Sequence, residues 1–184
     1  MGFFGTSVSA RQLDGLARDA LAEALDAGLG LSPVEGPADE LGRALARARL
    51  ALAGRGGRQA WHAAQPGIDD TLEDLQAAVA GLVDALGPLA VNSAGLDTVA
   101  RRSGDALERL ERLADGEEGV RWFESWSRSF ALHMTPPDAG EALGARIAER
   151  GGAWVFTSAT LALSLIHISE PTRLKTRSRM PSSA

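Results

Sequence analysis

Three hydroxyl side chains follow directly after a short apolar segment in the last fifth of the chain. Residues 153–156 read Ala-Trp-Val-Phe, which is typical of a strand buried on both faces of a parallel sheet. Thr157-Ser158-Ala159-Thr160-Leu161 comes next. Ligands bind at the carboxyl ends of such strands, where hydroxyls can bond to a phosphate, a bound water or a carboxylate. Thr157 or Ser158 could equally cap the following helix, so both interpretations stay open.

Aromatic side chains on an alternating segment are a second candidate site. Trp122 and Trp126 share one side of a strand predicted to begin at Val120, and both could stack on unpaired bases. Tryptophans on an alternating strand are more often core or interface residues. His133 is interpreted as an exposed strand residue rather than a general base, because no carboxylate or nucleophile pairs with it by spacing.

Several arginines form a third candidate site, which could bind nucleic acid. Arg55-Gly56-Gly57-Arg58 resembles an arginine–glycine element that binds nucleic acid, but a single copy between two helices favours a solvated loop. Arg43, Arg47 and the last arginine of this element could contact a phosphate backbone. Pairing with Glu40 or Asp39 explains these arginines equally well.

The composition limits the chemistry that the chain can perform. The 184 residues are 45% hydrophobic and 23% charged, which predicts a soluble globular domain. The absence of cysteine excludes disulfides, thiolate zinc sites and an iron–sulfur cluster within these residues. We expect neither a membrane span nor a secretory signal, because no run of about 18 apolar residues and no basic leader is present. A cytoplasmic setting is therefore expected.

Four amphipathic helices are predicted in the first 119 residues, and they can share one core as a bundle or as paired hairpins. A Ser9–Gln12 capping box is predicted to start the first helix, which ends at Gly28 and Gly30, and Pro37 to start the second, which ends at the breaker from Gly54. Asp69 or Asp70 is predicted to cap the third helix, which ends at Gly87. The fourth helix is predicted to start at Ser93 and to end at Gly116. The third helix carries a narrow apolar seam of Leu72, Leu75, Val79, Leu82 and Leu86. Core packing explains this seam better than a partner-binding zipper, which needs more heptads.

From Val120 onward the apolar period changes from helical to two. Two alternating segments, separated by Ser127-Arg128-Ser129 and ending at Thr135, predict a β-hairpin. Asp138 can cap a short helix that ends at Arg150.

The last 22 residues differ in character from the rest. Residues 1–162 contain no lysine and have a net charge of −8, whereas residues 163–184 have a net charge of +3. Residues 163–173 resemble a translated transposase adapter from sequencing libraries, and residues 178–184 resemble the primer that follows it. We expect residues 163–184 to be a non-native tail and exclude them from functional reasoning.

Residues 153–162 resemble motif III of superfamily 2 DNA helicases of the DinG, YoaA and XPD type, in which a hydrophobic strand runs into Thr-Ser-Ala-Thr-Leu. The preceding Trp122-Phe123, Phe130-Ala131-Leu132 and Thr135-Pro136-Pro137-Asp138 resemble the stretch that leads into this motif in bacterial members. Phe3-Phe4-Gly5 resembles the linker after their DEAH box. The resemblance is specific over residues 120–162, whereas before them only helical character agrees.

The resemblance implies an internal fragment of an ATP-dependent DNA helicase, between motifs II and III. The implied fold is mainly α with a small β part. Residues 1–119 would be a helical arch-like region, and residues 120–162 a hairpin and one strand of a RecA-like α/β motor domain. Thr157, Ser158, Ala159, Thr160 and Leu161 would form the motif that couples hydrolysis to strand separation, with no catalytic, cofactor-binding or metal-binding residue in the fragment.

The parent helicase would use ATP and Mg²⁺ and act on single-stranded or forked DNA, in DNA repair. Whether it carries the iron–sulfur cluster of the family stays open. This chain has no GxxxxGK[ST] loop, no DEAH box and no four-cysteine cluster, so we expect it to bind neither ATP nor metal alone. The alternative is a small helical adaptor that binds a protein partner through its apolar seams and has no catalysis.

Overall fold

The computed structural model describes residues 5–54, 56–117 and 119–137, together with Gly144, Ile147 and Glu149. Four α-helices and four strands occupy the ranges up to residue 137, which confirms a mainly α fold with a small β part. In chain order the elements are β1 (Thr6–Ser9), α1 (Ala10–Asp26), α2 (Ser32–Ala51), β2 (Gly57–Ala60), α3 (Gly67–Leu86), α4 (Ala94–Asp115), β3 (Val120–Trp126) and β4 (Ser129–Thr135), with 3₁₀ helices at Trp61–Ala64 and Gly87–Asn92. The helix predicted from Asp138 and the strand at 153–156 lie outside the described residues.

Two helix starts agree with the sequence prediction. Ser9 forms the capping box of α1: its hydroxyl accepts from the Gln12 amide at 3.3 Å, and its own amide donates to the Gln12 side chain at 2.9 Å. Ser93 caps α4 by accepting from the Leu96 amide at 3.0 Å. The same helix ends at Gly116, whose φ of 68° is left-handed and is adopted by glycine at the least steric cost.

Two other helix starts were predicted wrongly. Helix α2 begins at Ser32, one turn before Pro37, which lies inside it. The extra turn buries Val34 completely, and this burial offsets the hydrogen bond that Pro37 cannot donate. Helix α3 begins at Gly67 without a side-chain cap. Asp69 does not cap it, because its carboxylate accepts hydrogen bonds from Trp61 and Gln65 instead.

One hydrophobic core joins the helices to the inner face of the sheet. The seam of α3 is buried within it, as predicted, so this seam offers no free surface to a partner. From the sheet, Phe123 and Leu132 are completely buried and Phe130 is 1% exposed. The large exposed apolar side chains of the described residues are separate from one another in the sequence: Leu25, Leu50, Val91, Val120 and Trp126.

The strands are antiparallel and lie in the order β1-β4-β3-β2. The predicted hairpin of β3 and β4 is confirmed and occupies the centre of the sheet. Strands β1 and β2 were not predicted, because each has only four residues and β2 is largely exposed. The sheet thus joins strands from both sides of residue 119, while the division into 1–119, 120–162 and 163–184 stays a prediction.

The segment Gly67–Asn92 is long and apolar enough to cross a membrane by length and composition, and an 18-residue stretch within it has a mean hydropathy of 1.3. Core helices of soluble proteins pass the same test. Here α3 carries Asp69, Asp70, Glu73 and Asp74 in its first half, and its apolar seam is buried among the other helices. We therefore interpret α3 as a core helix.

Candidate functional site

The face of the sheet that points away from the helices carries aromatic and charged side chains. Alternation along β3 buries Phe123 and Ser125 against the core and turns Trp122, Glu124 and Trp126 outward, as the sequence predicts. We call this side of the sheet the outer sheet face. It is formed by Arg58, Trp122, Glu124, Trp126 and His133.

Trp122 is the centre of a three-layer stack on the outer sheet face. Its ring lies 3.9 Å from the His133 ring on β4, with an interplanar angle of 12°. The Arg58 guanidinium from β2 lies 3.8 Å from the ring centroid of Trp122. Since β2 and β4 flank β3 on opposite sides, both faces of the Trp122 ring are covered. The indole N–H donates to Thr135 Oγ1 at 3.0 Å. Trp122 thus connects side chains of three neighbouring strands, and neither face of its ring is free for a base.

His133 differs from the prediction of an exposed strand residue without a carboxylate partner. Its side chain is only 22% exposed, and Nε2 lies 3.6 Å from Oε2 of Glu124 on the neighbouring strand. Spacing along the chain could not reveal this pair, because the turn of the hairpin brings the two strands together. Burial lowers the pKa of His133 below its ordinary value; Glu124 opposes this shift and the Arg58 charge adds to it.

We expect His133 to make stability depend on pH. Because its folded-state pKa is lowered, the unfolded chain binds a proton first as the pH falls below about 6.5. The folded state should therefore lose stability between pH 7 and 5.5. His133→Phe keeps a ring for the stack but removes the titration, so its Tm should fall less over this range than that of the parent chain. A parent Tm that rises as the pH falls would contradict this prediction.

A second polar cluster ties the sheet to the helices. The Trp61 indole N–H donates to Asp69 Oδ1 at 2.8 Å, and the Arg121 guanidinium lies 4.7 Å from the Trp61 ring centroid. Arg121 also donates to the carbonyls of Leu113 and Ala114 at the end of α4, where a cation is favourable. Burial would raise the pKa of Asp69, but the hydrogen bonds from Trp61 and Gln65 and the charge of Arg121 together lower it. This cluster is structural.

The arginines singled out in the sequence have different roles. Arg43 pairs with Glu40 at 2.8 Å, and Arg47 pairs with Glu40 at 3.2 Å and Asp74 at 2.8 Å. These contacts confirm pairing for both residues, and hydrogen bonds from Arg43 and Arg47 hold the pKa of Glu40 below its ordinary value. Arg58 was predicted in a solvated loop, which is wrong: it lies on β2, over Trp122. This segment pairs with β3 as an edge strand instead of forming a loop, and the pairing places Arg58 over Trp122.

The predicted coupling motif, Thr157, Ser158, Ala159, Thr160 and Leu161, lies outside the described residues. Within the part of the chain that the structure describes, no group of three or more His, Cys, Asp or Glu side chains could hold a metal ion. The sequence contains no cysteine and no phosphate-binding loop.

The chain is similar to two curated bacterial helicases. It is 34% identical over 173 residues to the ATP-dependent DNA helicase YoaA of Escherichia coli K12, a match that covers 88% of this chain and 26% of the relative. It is 28% identical over 164 residues to the ATP-dependent DNA helicase YoaA of Haemophilus influenzae, which covers 86% and 26%. The chain thus spans about a quarter of the length of these relatives and is similar to a region of a DinG/YoaA-like helicase. No family model and no solved structure matches it.

Proposed function

We propose that this chain is the part of an ATP-dependent DNA helicase that lies between motifs II and III, and that it is inactive alone. The observation that carries this proposal is the similarity to two YoaA helicases over 86–88% of the chain. In the proposal, the helices form an arch-like region, and residues 120–162 lead into the first motor domain. The parent translocates on single-stranded or forked DNA in the cytoplasm and acts in DNA repair.

In this proposal the chemistry of ATP belongs to other parts of the parent protein. Hydrolysis needs a phosphate-binding loop and acidic magnesium ligands, which this sequence lacks. The motif at Thr157, Ser158 and Thr160 responds to the state of the nucleotide and passes it to the DNA track. Support for this role comes from the resemblance of residues 153–162 to motif III.

The genomic locus, sequenced independently, tests the proposal most directly. We expect the reading frame upstream of Met1 to encode GxxxxGK[ST] and a DEAH box, and the frame downstream of Ala162 to encode a second motor domain. Residues 163–184 should be absent from that locus. A locus that encodes these 184 residues followed by a stop codon, with no helicase motifs upstream, would favour the adaptor.

The purified 184-residue chain should neither bind nor hydrolyse ATP. The physical reason is the lack of any GxxxxGK[ST] segment whose backbone amides and lysine could hold the phosphates. Isothermal calorimetry with ATP and Mg²⁺, and an ATPase assay with and without single-stranded DNA, measure this. Phosphate release above that of a heat-denatured sample would contradict the proposal of an inactive fragment.

A further inference from the structure

An open groove lies on the outer sheet face where β3 turns into β4. It has a volume of about 450 Å³ and is lined by Arg11, Trp126 and Arg128, by Ala131 and by the hydroxyl residues Ser9, Ser127 and Ser129. No carboxylate is among the residues that line it. The groove therefore presents an aromatic ring, two positive charges and short polar groups in a chain whose net charge is −5.

The two arginines of the groove carry no carboxylate partner among the described residues. Several exposed arginines elsewhere pair with a carboxylate, for example Arg18, Arg43 and Arg101. Arg11 and Arg128 are exposed and form no ion pair within the described residues. Arg11 also lies in the first turn of α1, where a cation opposes the helix dipole. Ion pairing therefore explains neither charge, and helix stability does not explain the charge of Arg11.

Trp126 is the ring of the outer sheet face that remains open to a ligand. Its side chain is 53% exposed, whereas Arg58 and His133 cover both faces of Trp122. An unpaired base can stack on such a ring, while guanidinium groups and hydroxyls bind the phosphates on either side. Arginine and serine side chains and Ala131 surround the ring, and the two guanidinium groups favour an anionic partner.

We propose that this groove, formed by Arg11, Trp126 and Arg128, binds single-stranded DNA, with one base stacked on Trp126 and phosphates contacted by the two arginines. The inference rests on the proposed function, which makes DNA the partner of the parent helicase. A base paired within a duplex cannot stack on Trp126 without leaving its partner. The groove therefore selects single strands over duplexes.

Fluorescence anisotropy of the full 184-residue chain with a labelled 15-nucleotide oligo-dT tests the proposal. Trp126→Ala should weaken binding about tenfold, since base–aromatic stacking is worth about 1–3 kcal/mol. Trp126→Phe should restore part of this affinity. Arg11→Ala with Arg128→Ala should lower the slope of log affinity against log salt by about 1.4, because two phosphate contacts to a single strand are lost.

Leu50→Ala and Arg101→Ala are the matched controls, because both replace exposed residues on helices outside the groove. They should leave affinity and salt slope unchanged, and thermal melting verifies that each variant folds. Three results would each overturn the inference: an affinity of Trp126→Ala for oligo-dT within twofold of that of the parent chain, no binding of oligo-dT at low salt, or equal affinity for a duplex of the same length. None of these results would refute the proposed function, which the genomic locus tests separately.

Discussion

Replacing Trp61 with alanine should destabilise the folded chain by about 3–5 kcal/mol, the usual cost of removing a large buried aromatic side chain. Trp61 is 5% exposed, and its ring lies beside the Arg121 guanidinium. Its loss leaves a cavity and removes the hydrogen bond that its indole N–H donates to Asp69. Urea denaturation followed by circular dichroism measures the change in the free energy of unfolding.

Trp61→Phe is the matched variant that separates packing from hydrogen bonding. It keeps most of the ring but cannot donate to Asp69, so we expect a loss of about 1 kcal/mol. The Asp69 side chain is 40% exposed, and water can replace part of the lost bond. If Trp61→Ala and Trp61→Phe destabilised the chain equally, the hydrogen bond rather than the packing of the ring would dominate.

Replacing both Thr157 and Thr160 with alanine in the parent helicase should reduce unwinding about tenfold while sparing ATP binding. Each lost hydroxyl removes a hydrogen bond worth about 0.5–1.5 kcal/mol, which is enough to loosen a coupling motif and too little to unfold a domain. ATP hydrolysis should fall less than unwinding. Parallel assays of strand separation and phosphate release give the number of base pairs opened per ATP.

The matched control for this double variant is Thr98→Ala, which removes one exposed hydroxyl on α4 outside the motif and should leave unwinding per ATP unchanged. If unwinding per ATP is unchanged in the double variant, or if the variant unfolds, then Thr157-Ser158-Ala159-Thr160-Leu161 is only the end of a strand. Equal losses of hydrolysis and unwinding would also contradict a coupling role, because they would indicate damage to the ATP site.

The sequence predicted the features of the fold that local interactions determine. The capping side chains of Ser9 and Ser93 and the alternation around Phe123 are visible in a few neighbouring residues, and all three agree with the structure. The start of α2 was missed because burial of Val34 outweighs the local signal of Pro37. Tertiary packing decides such cases, and it cannot be read from a short window.

The candidate site was predicted only in part, for a similar reason. Trp122 and Trp126 were identified with two open interpretations, but their different environments depend on β2, whose four residues have no strand pattern of their own. The pairing of β2 with β3 places Arg58 over Trp122 and leaves Trp126 uncovered. Arg11 belongs to the groove through the pairing of β1 with β4, which joins distant parts of the chain.

The strand order β1-β4-β3-β2 has a consequence for the order of folding. Ser9 pairs with Ala131, and Gln59 pairs with Phe123. Both outer strands therefore have no strand to pair with until the hairpin, which is synthesised after them, has formed. Helices α1 to α4 can associate while the chain emerges from the ribosome, but the sheet closes only when β3 and β4 are complete. Contacts between distant residues slow folding. Formation of the hairpin is therefore the last step of folding, and it fixes the first residues of the chain against the helices.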